Sequence, residues 1–380
     1  MPDFLKSDEK KVEYVELIYD LIFVYMIGRN NSLVTHVPGG FIDYGLYLTY
    51  VLCTLITIQI WYLTTLFINR YGSNRPSEYI CLFINMFLLY YMGDGTSAEW
   101  SGSFYKYNFA WLLIIFNLLI QYIIKYRSAS TAAPWEKANI AFFIRLLSTI
   151  AFLIAVGIAL YKPLGIALTP VAMVAGIIIT AAGRSKLDLV AVDFPHLSER
   201  IMLYVVFTFG EMIVAIASYF SGPVTLNGTY YSAMIFLIVV GLFMSYGFLY
   251  DHLIDREMHI SGNSYMLIHI FIIFALNNLT LAFEFMREEE VPVIPKTVFL
   301  TLSFVIYYLF IFMLVPFTIG YDRKLTSFRW FGITLAAFIV LMAITYNAPF
   351  LSIAISVALT FVIWYFEYSY RKHLHDDRGI

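Results

Sequence analysis

The sequence predicts an all-α fold, a polytopic transmembrane helical bundle of about twelve spans, and three observations carry that prediction. Of 380 residues, 61% are hydrophobic and 13% charged, against roughly a quarter charged in soluble domains, so lipid is the solvent this chain suits. Apolar runs separated by short polar breaks recur along its length, and helices alone satisfy their backbones within one such segment. Placed on alternate sides of those runs, Lys and Arg divide 18 against 5, with Arg145 left inside a span. Cytoplasmic loops retain an excess of basic residues, so both termini are expected in the cytoplasm of a multi-pass cell-membrane protein.

The twelve runs, in order, are 12–29, 42–68, 78–93, 104–126, 138–161, 163–182, 200–220, 230–251, 264–285, 296–320, 327–345 and 348–368. The third is short. The fifth and sixth are divided at Lys162-Pro163, and the last two at Tyr346-Asn-Ala-Pro349, because proline punctuates helices. One integral membrane domain over 1–380 is expected, with two six-helix repeats, 12–182 and 196–368, suggested by the signature segments that open the first and seventh runs. Trp61, Trp100, Trp111, Trp135, Trp330 and Trp364 lie mostly towards run ends, where amphipathic rings anchor at the headgroups.

A net charge of −2 and a pI near 6.4 give no footprint for nucleic acid. Cys53 and Cys81 sit in apolar runs and form no CxxC motif, so two reduced thiols are expected. The first apolar run carries acids and no small-residue cleavage site, so no removed signal peptide is expected. Asp251, His252, Asp255, Glu257 and His259 supply His, Asp and Glu at helical spacings that could hold a divalent metal, but a solvated helix end is the preferred reading, and no metal or other cofactor is assigned. GxSxG, HExxH and phosphate-cradling glycine loops are all missing, which weighs against a hydrolase. The protein is read as a non-enzyme.

Chemistry concentrates in the runs. Glu13, Glu16 and Asp20 fall at i, i+3 and i+7, on one helical face. Asp20 lies roughly 12 Å past Val12, near mid-membrane, where an acid costs several kcal/mol unless paired, hydrated or protonated. His196-Leu-Ser-Glu199-Arg200 opens the seventh run, and Gly210-Glu211 comes after it. Arg200 and Glu211 point alike but stand roughly 16 Å apart, so Glu211 needs another partner, and Gly210 is expected to admit a neighbouring backbone. Tyr265, His269, Asn277 and Glu284 share a face of the ninth run. Arg145 is expected to be the buried permanent cation, at the depth of Asp20.

These residues resemble the bacterial low temperature requirement protein A family. Val15-Glu-Leu-Ile-Tyr-Asp-Leu-Ile-Phe-Val24 is similar to its ELFFDLVFV signature, and His196-Leu-Ser-Glu-Arg200 with Gly210-Glu-Met212 to its HxxER…GES element. Tyr250-Asp251 and Tyr265-Met-Leu-Ile-His269 resemble its YFD and YxxxH elements. Tyr19 and Met212 depart from the family's Phe and Ser, and the proline that often comes after the ninth-helix His is absent. The resemblance implies a polytopic cytoplasmic-membrane protein linked by name to growth in the cold, with its biochemical activity open.

A secondary transporter or channel-like protein is therefore expected. Glu16, Asp20, Glu199, Arg200, Glu211 and His269 would handle protons, ions or an unknown small solute, and Arg145 would supply counter-charge. Partners are the lipid bilayer and that solute, and a homo-oligomer is left open. A buried packing network without transport is the structural alternative. The functional alternative is a non-transporting membrane factor for assembly, lipid adaptation or signalling in the cold.

Overall fold

Long stretches of apolar side chains leave the backbone of this chain to satisfy itself, and helices are the outcome throughout. The computed structural model describes residues 11–35, 40–97, 100–129, 131–221, 224–319 and 326–378. Among them no strand occurs, and each of the twelve apolar runs contains a helix. Lys6, Lys10, Arg323 and Lys324 of the charge count lie outside the described residues.

Residues gather into two compact units. The first comprises Met1–Val34, Tyr44–Ile201 and Glu257–Met266, and the second comprises Thr35–Asp43, Met202–Arg256 and Leu267–Ile380. The first is built on α1 (Tyr14–Asn31), α2 (Tyr44–Tyr71), α3 (Pro76–Asp94), α4 (Trp100–Ser128), α5 (Pro134–Leu164), α6 (Pro170–Ala182) and α7 (Arg184–Leu187), with the opening of α8 (Phe194–Ile216). The second continues with the rest of α8, α9 (Leu226–Phe248), α10 (Asn263–Arg287) from Leu267, α11 (Val293–Phe312), α12 (Thr326–Ile344) and α13 (Pro349–Arg378).

In the first unit α1 and α2 run antiparallel, joined by hydrogen bonds between Asn30 and Thr57, Asp20 and Trp61, Tyr19 and Thr64, and Glu13 and Asn74. Proline opens α3, α5 and α6 at a position where its missing N–H costs nothing. The fifth and sixth runs form separate helices as expected, but the break falls just after Pro163 and not at it. Helix α5 absorbs the proline in its last turn and ends at Gly165, whose φ of +67° suits the left-handed cap. The next helix, α6, has only 13 residues. At 1.5 Å per residue that is roughly 20 Å, short of a hydrocarbon core of about 30 Å.

The second unit packs α9 tightly against α13. A Cβ on Gly241 would stand 2.6 Å from Thr360 Cβ, so glycine sets the approach of these two helices. Tyr307 of α11 donates to the Leu242 carbonyl at 3.2 Å. The ends of α9 and α11 are joined by two backbone hydrogen bonds, Asp255 N–H to Phe317 O at 2.8 Å and Ile319 N–H to Leu253 O at 2.7 Å. Gly210 lacks the close-approach role expected of it, since a Cβ there would meet nothing within 4 Å.

Among the described residues eight helices are long and apolar enough to cross a membrane: α2, α4, α5, α8, α9, α10, α11 and α13, three of them counted with the short turns that extend them. This is a multi-pass membrane protein, all-helical and embedded in lipid.

Candidate functional site

Two helices with the same internal spacing meet in the first unit. On α1, Glu16 and Asp20 are four residues apart and share a face, and on α8 so do His196 and Arg200. The helices pair these side chains rung by rung: His196 Nε2 lies 3.0 Å from Glu16 Oε2, while Arg200 grips Asp20. Relative exposures are 2% for Glu16, 0% for Asp20, 1% for His196 and 0% for Arg200, so water does not screen the charges.

Three donor contacts hold Asp20. Arg200 donates Nη2 to Oδ1 at 2.6 Å and Nε to Oδ2 at 3.1 Å, and Trp61 of α2 donates Nε1–H to Oδ1 at 2.9 Å. A guanidinium fork matches a carboxylate in this way, and an ammonium does not. Arg200 Nε also lies 3.5 Å from Glu16 Oε2, linking the rungs.

The Glu16 rung is set by Asn69, two turns from Trp61 on α2. Asn69 Oδ1 accepts the Asp193 N–H at 3.1 Å, and its Nδ2 donates to the Asp193 carbonyl at 2.9 Å, which fixes which end of the amide is which. The same Nδ2 stands 3.0 Å from His196 Nδ1 and can only donate to it. Nδ1 is therefore the acceptor, and the single ring proton sits on Nε2, directed at Glu16. Asp193 also caps α8, its Oδ1 accepting the His196 N–H at 3.2 Å. With a neutral imidazole, these four side chains bring together two carboxylates and one guanidinium.

The other expected residues lie elsewhere. Arg145 is not the buried cation: it is exposed on α5, turned away from the inward stripe of Phe143, Leu147, Ile150 and Ile154. Asp20 takes its cation from Arg200, which is thus a core residue and not part of a cytoplasmic loop as the charge count assumed. Glu199 is exposed. Glu211 is half-buried and His269 is 1% exposed, both in the second unit, where the His269 ring meets Tyr246 edge-on at 5.9 Å.

His196, Trp61 and Asn69 complete the cluster without having been expected in it. The repeated spacing of four, 16 to 20 and 196 to 200, was a readable signal for His196. Trp61 is 1% exposed and bonded to an acid, so it is not an interfacial anchor, and Trp111 is likewise buried. Cys53 is buried and Cys81 half-buried.

The family model described as Bacterial low temperature requirement A protein (LtrA) matches residues 11–364. No curated protein and no solved structure matches the chain.

Proposed function

This chain belongs to the bacterial low temperature requirement A family, and from that premise we propose a secondary transporter or channel-like membrane protein in which the Glu16–His196 rung handles a proton. The observation that supports this reading is the tautomer set by Asn69. It directs the His196 Nε2 proton at the Glu16 carboxylate, 3.0 Å away in a dry interior, so that a proton can be held between the two side chains. Asp20 is held by three donors, so Glu16 is the acid with a role to change. A proton taken up by Glu16 removes the charge that holds His196 and the nearby Arg200 Nε, and a charge-assisted hydrogen bond of about 1.5–3 kcal/mol falls to that of a neutral one. Uptake then loosens α1 from α8 at one rung while the Asp20–Arg200 rung stays closed. Twelve spans, cytoplasmic termini, a cell-membrane location and duplication of a six-helix unit belong to the same proposal, which assigns no enzymatic step.

A non-transporting factor is the second reading, supported by the exposure of 2% or less at all four side chains. Liposomes enclosing a pH-sensitive dye separate the two. Proton flux that depends on the protein and disappears in Glu16→Gln at unchanged membrane level is the expected result. Wild-type protein that moves no proton under an imposed gradient sinks the transport reading.

A further inference from the structure

The second unit holds a half-buried acid that no expected role uses. Glu367 lies on α13, and Ser245 of α9 donates to its Oε1 at 3.0 Å. Its Oε2 is buried and has no hydrogen-bond partner. Protonation does not resolve this, because a proton on Oε2 finds no acceptor and a proton on Oε1 leaves Oε2 a bare carbonyl. An unsatisfied buried carboxyl oxygen costs on the scale of a full hydrogen bond, so the position calls for an external donor.

Glu367 also lines a cavity of about 80 Å³, half-enclosed by apolar and aromatic side chains that include Leu249, Ile311, Phe331, Ile363 and Phe366. We propose that this cavity between α9, α11, α12 and α13 binds the primary ammonium group of a small amine, with Glu367 Oε2 accepting its hydrogen bond and the aromatic walls covering its tail. A primary ammonium supplies both the charge and the N–H that the oxygen lacks, whereas a quaternary ammonium supplies the charge alone. The volume is roughly half that of a cavity known to take benzene. It holds the ammonium group and the first carbons of the tail, and a longer tail leaves through the open side. The aromatic residues Phe331 and Phe366 of the lining favour a cation there. The site does not rest on the proton-handling reading, and neither fails with the other.

The test is thermal unfolding of the full chain in lipid nanodiscs with n-butylammonium chloride, against equal concentrations of NaCl, tetramethylammonium chloride and 1-butanol. Butylammonium alone should raise Tm, by about 2 °C at ten times its Kd and then with the logarithm of its concentration. Glu367→Gln should abolish the shift, and Leu249→Trp, which fills the cavity and leaves the acid in place, should abolish it too. If either variant fails to fold, the discrimination among the four wild-type additions still decides. A shift equal for butylammonium and 1-butanol, no shift beyond that of NaCl, or a full shift retained in Glu367→Gln overturns the site.

Discussion

Arg200 holds Asp20 through two parallel hydrogen bonds, 2.6 Å and 3.1 Å long, across 180 residues of sequence. Removing one member strands the other charge in a dry core, at a typical cost of about 3–5 kcal/mol. Arg200→Leu and Asp20→Leu should each destabilise on that scale, and the double variant should recover part of the loss. Arg145→Leu, an exposed change, should stay within about 0.5 kcal/mol. A double-mutant cycle on thermal unfolding in detergent measures the coupling, and additive losses for Arg200 with Asp20 would contradict the pairing.

The His196 tautomer is open to direct observation. In ¹⁵N-histidine-labelled protein, the His196 Nδ1 resonance should have the shift of an unprotonated nitrogen and Nε2 that of a protonated one. Asn69→Asp replaces the donor opposite Nδ1 with an acceptor, so it should draw a second proton onto the ring, the new carboxylate balancing the imidazolium. Two protonated nitrogens in the wild type would remove the basis of the proposed proton site.

Trp61→Phe keeps most of the ring volume and deletes one donor to Asp20. The expected loss is about 1–3 kcal/mol, that of an under-satisfied buried acceptor, with Arg200 still in place. Chemical unfolding followed by far-UV circular dichroism would measure it. An unchanged midpoint would place water at Oδ1 in place of the indole.

Two glycines of the second unit should respond in opposite directions. Gly241→Ala forces α9 off α13 and should cost about 1–3 kcal/mol. Gly210→Ala meets open space and gains helix propensity, so it should be neutral or stabilising by up to about 1 kcal/mol. Thermal stability of the two variants side by side checks the contrast.

Helices were legible in the sequence because lipid makes apolar length a direct signal, and Glu16 and Asp20 were legible as a site because acids are rare at that depth. Direction was not. A helix with lipid on one side and protein on the other is apolar on both, so periodicity does not say which way Arg145 or Arg200 points. Arg145 is deep by residue count yet faces out, and Arg200 stands near a predicted boundary yet is fully buried. Pairing over 180 residues depends on which helices become neighbours, and that information lies in packing shape.

The first unit is discontinuous in sequence, and this bears on how it is made. Arg70 of α2 donates to the carbonyls of Leu187 and Ser261, and Gly262, with φ of +73°, fits where a Cβ would come within 2.5 Å of Leu197. Residues 257–266 leave the ribosome only after the segment Met202–Arg256. At synthesis rates of about 5–20 residues per second, the interval is on the order of several seconds. Throughout that time the helices carrying Glu16, Asp20 and Arg200 are made but lack their last supporting segment. Truncation just before Ser261 would therefore leave the first unit without the segment that Arg70 holds, which makes this interval the point at which a protease would compete for the chain.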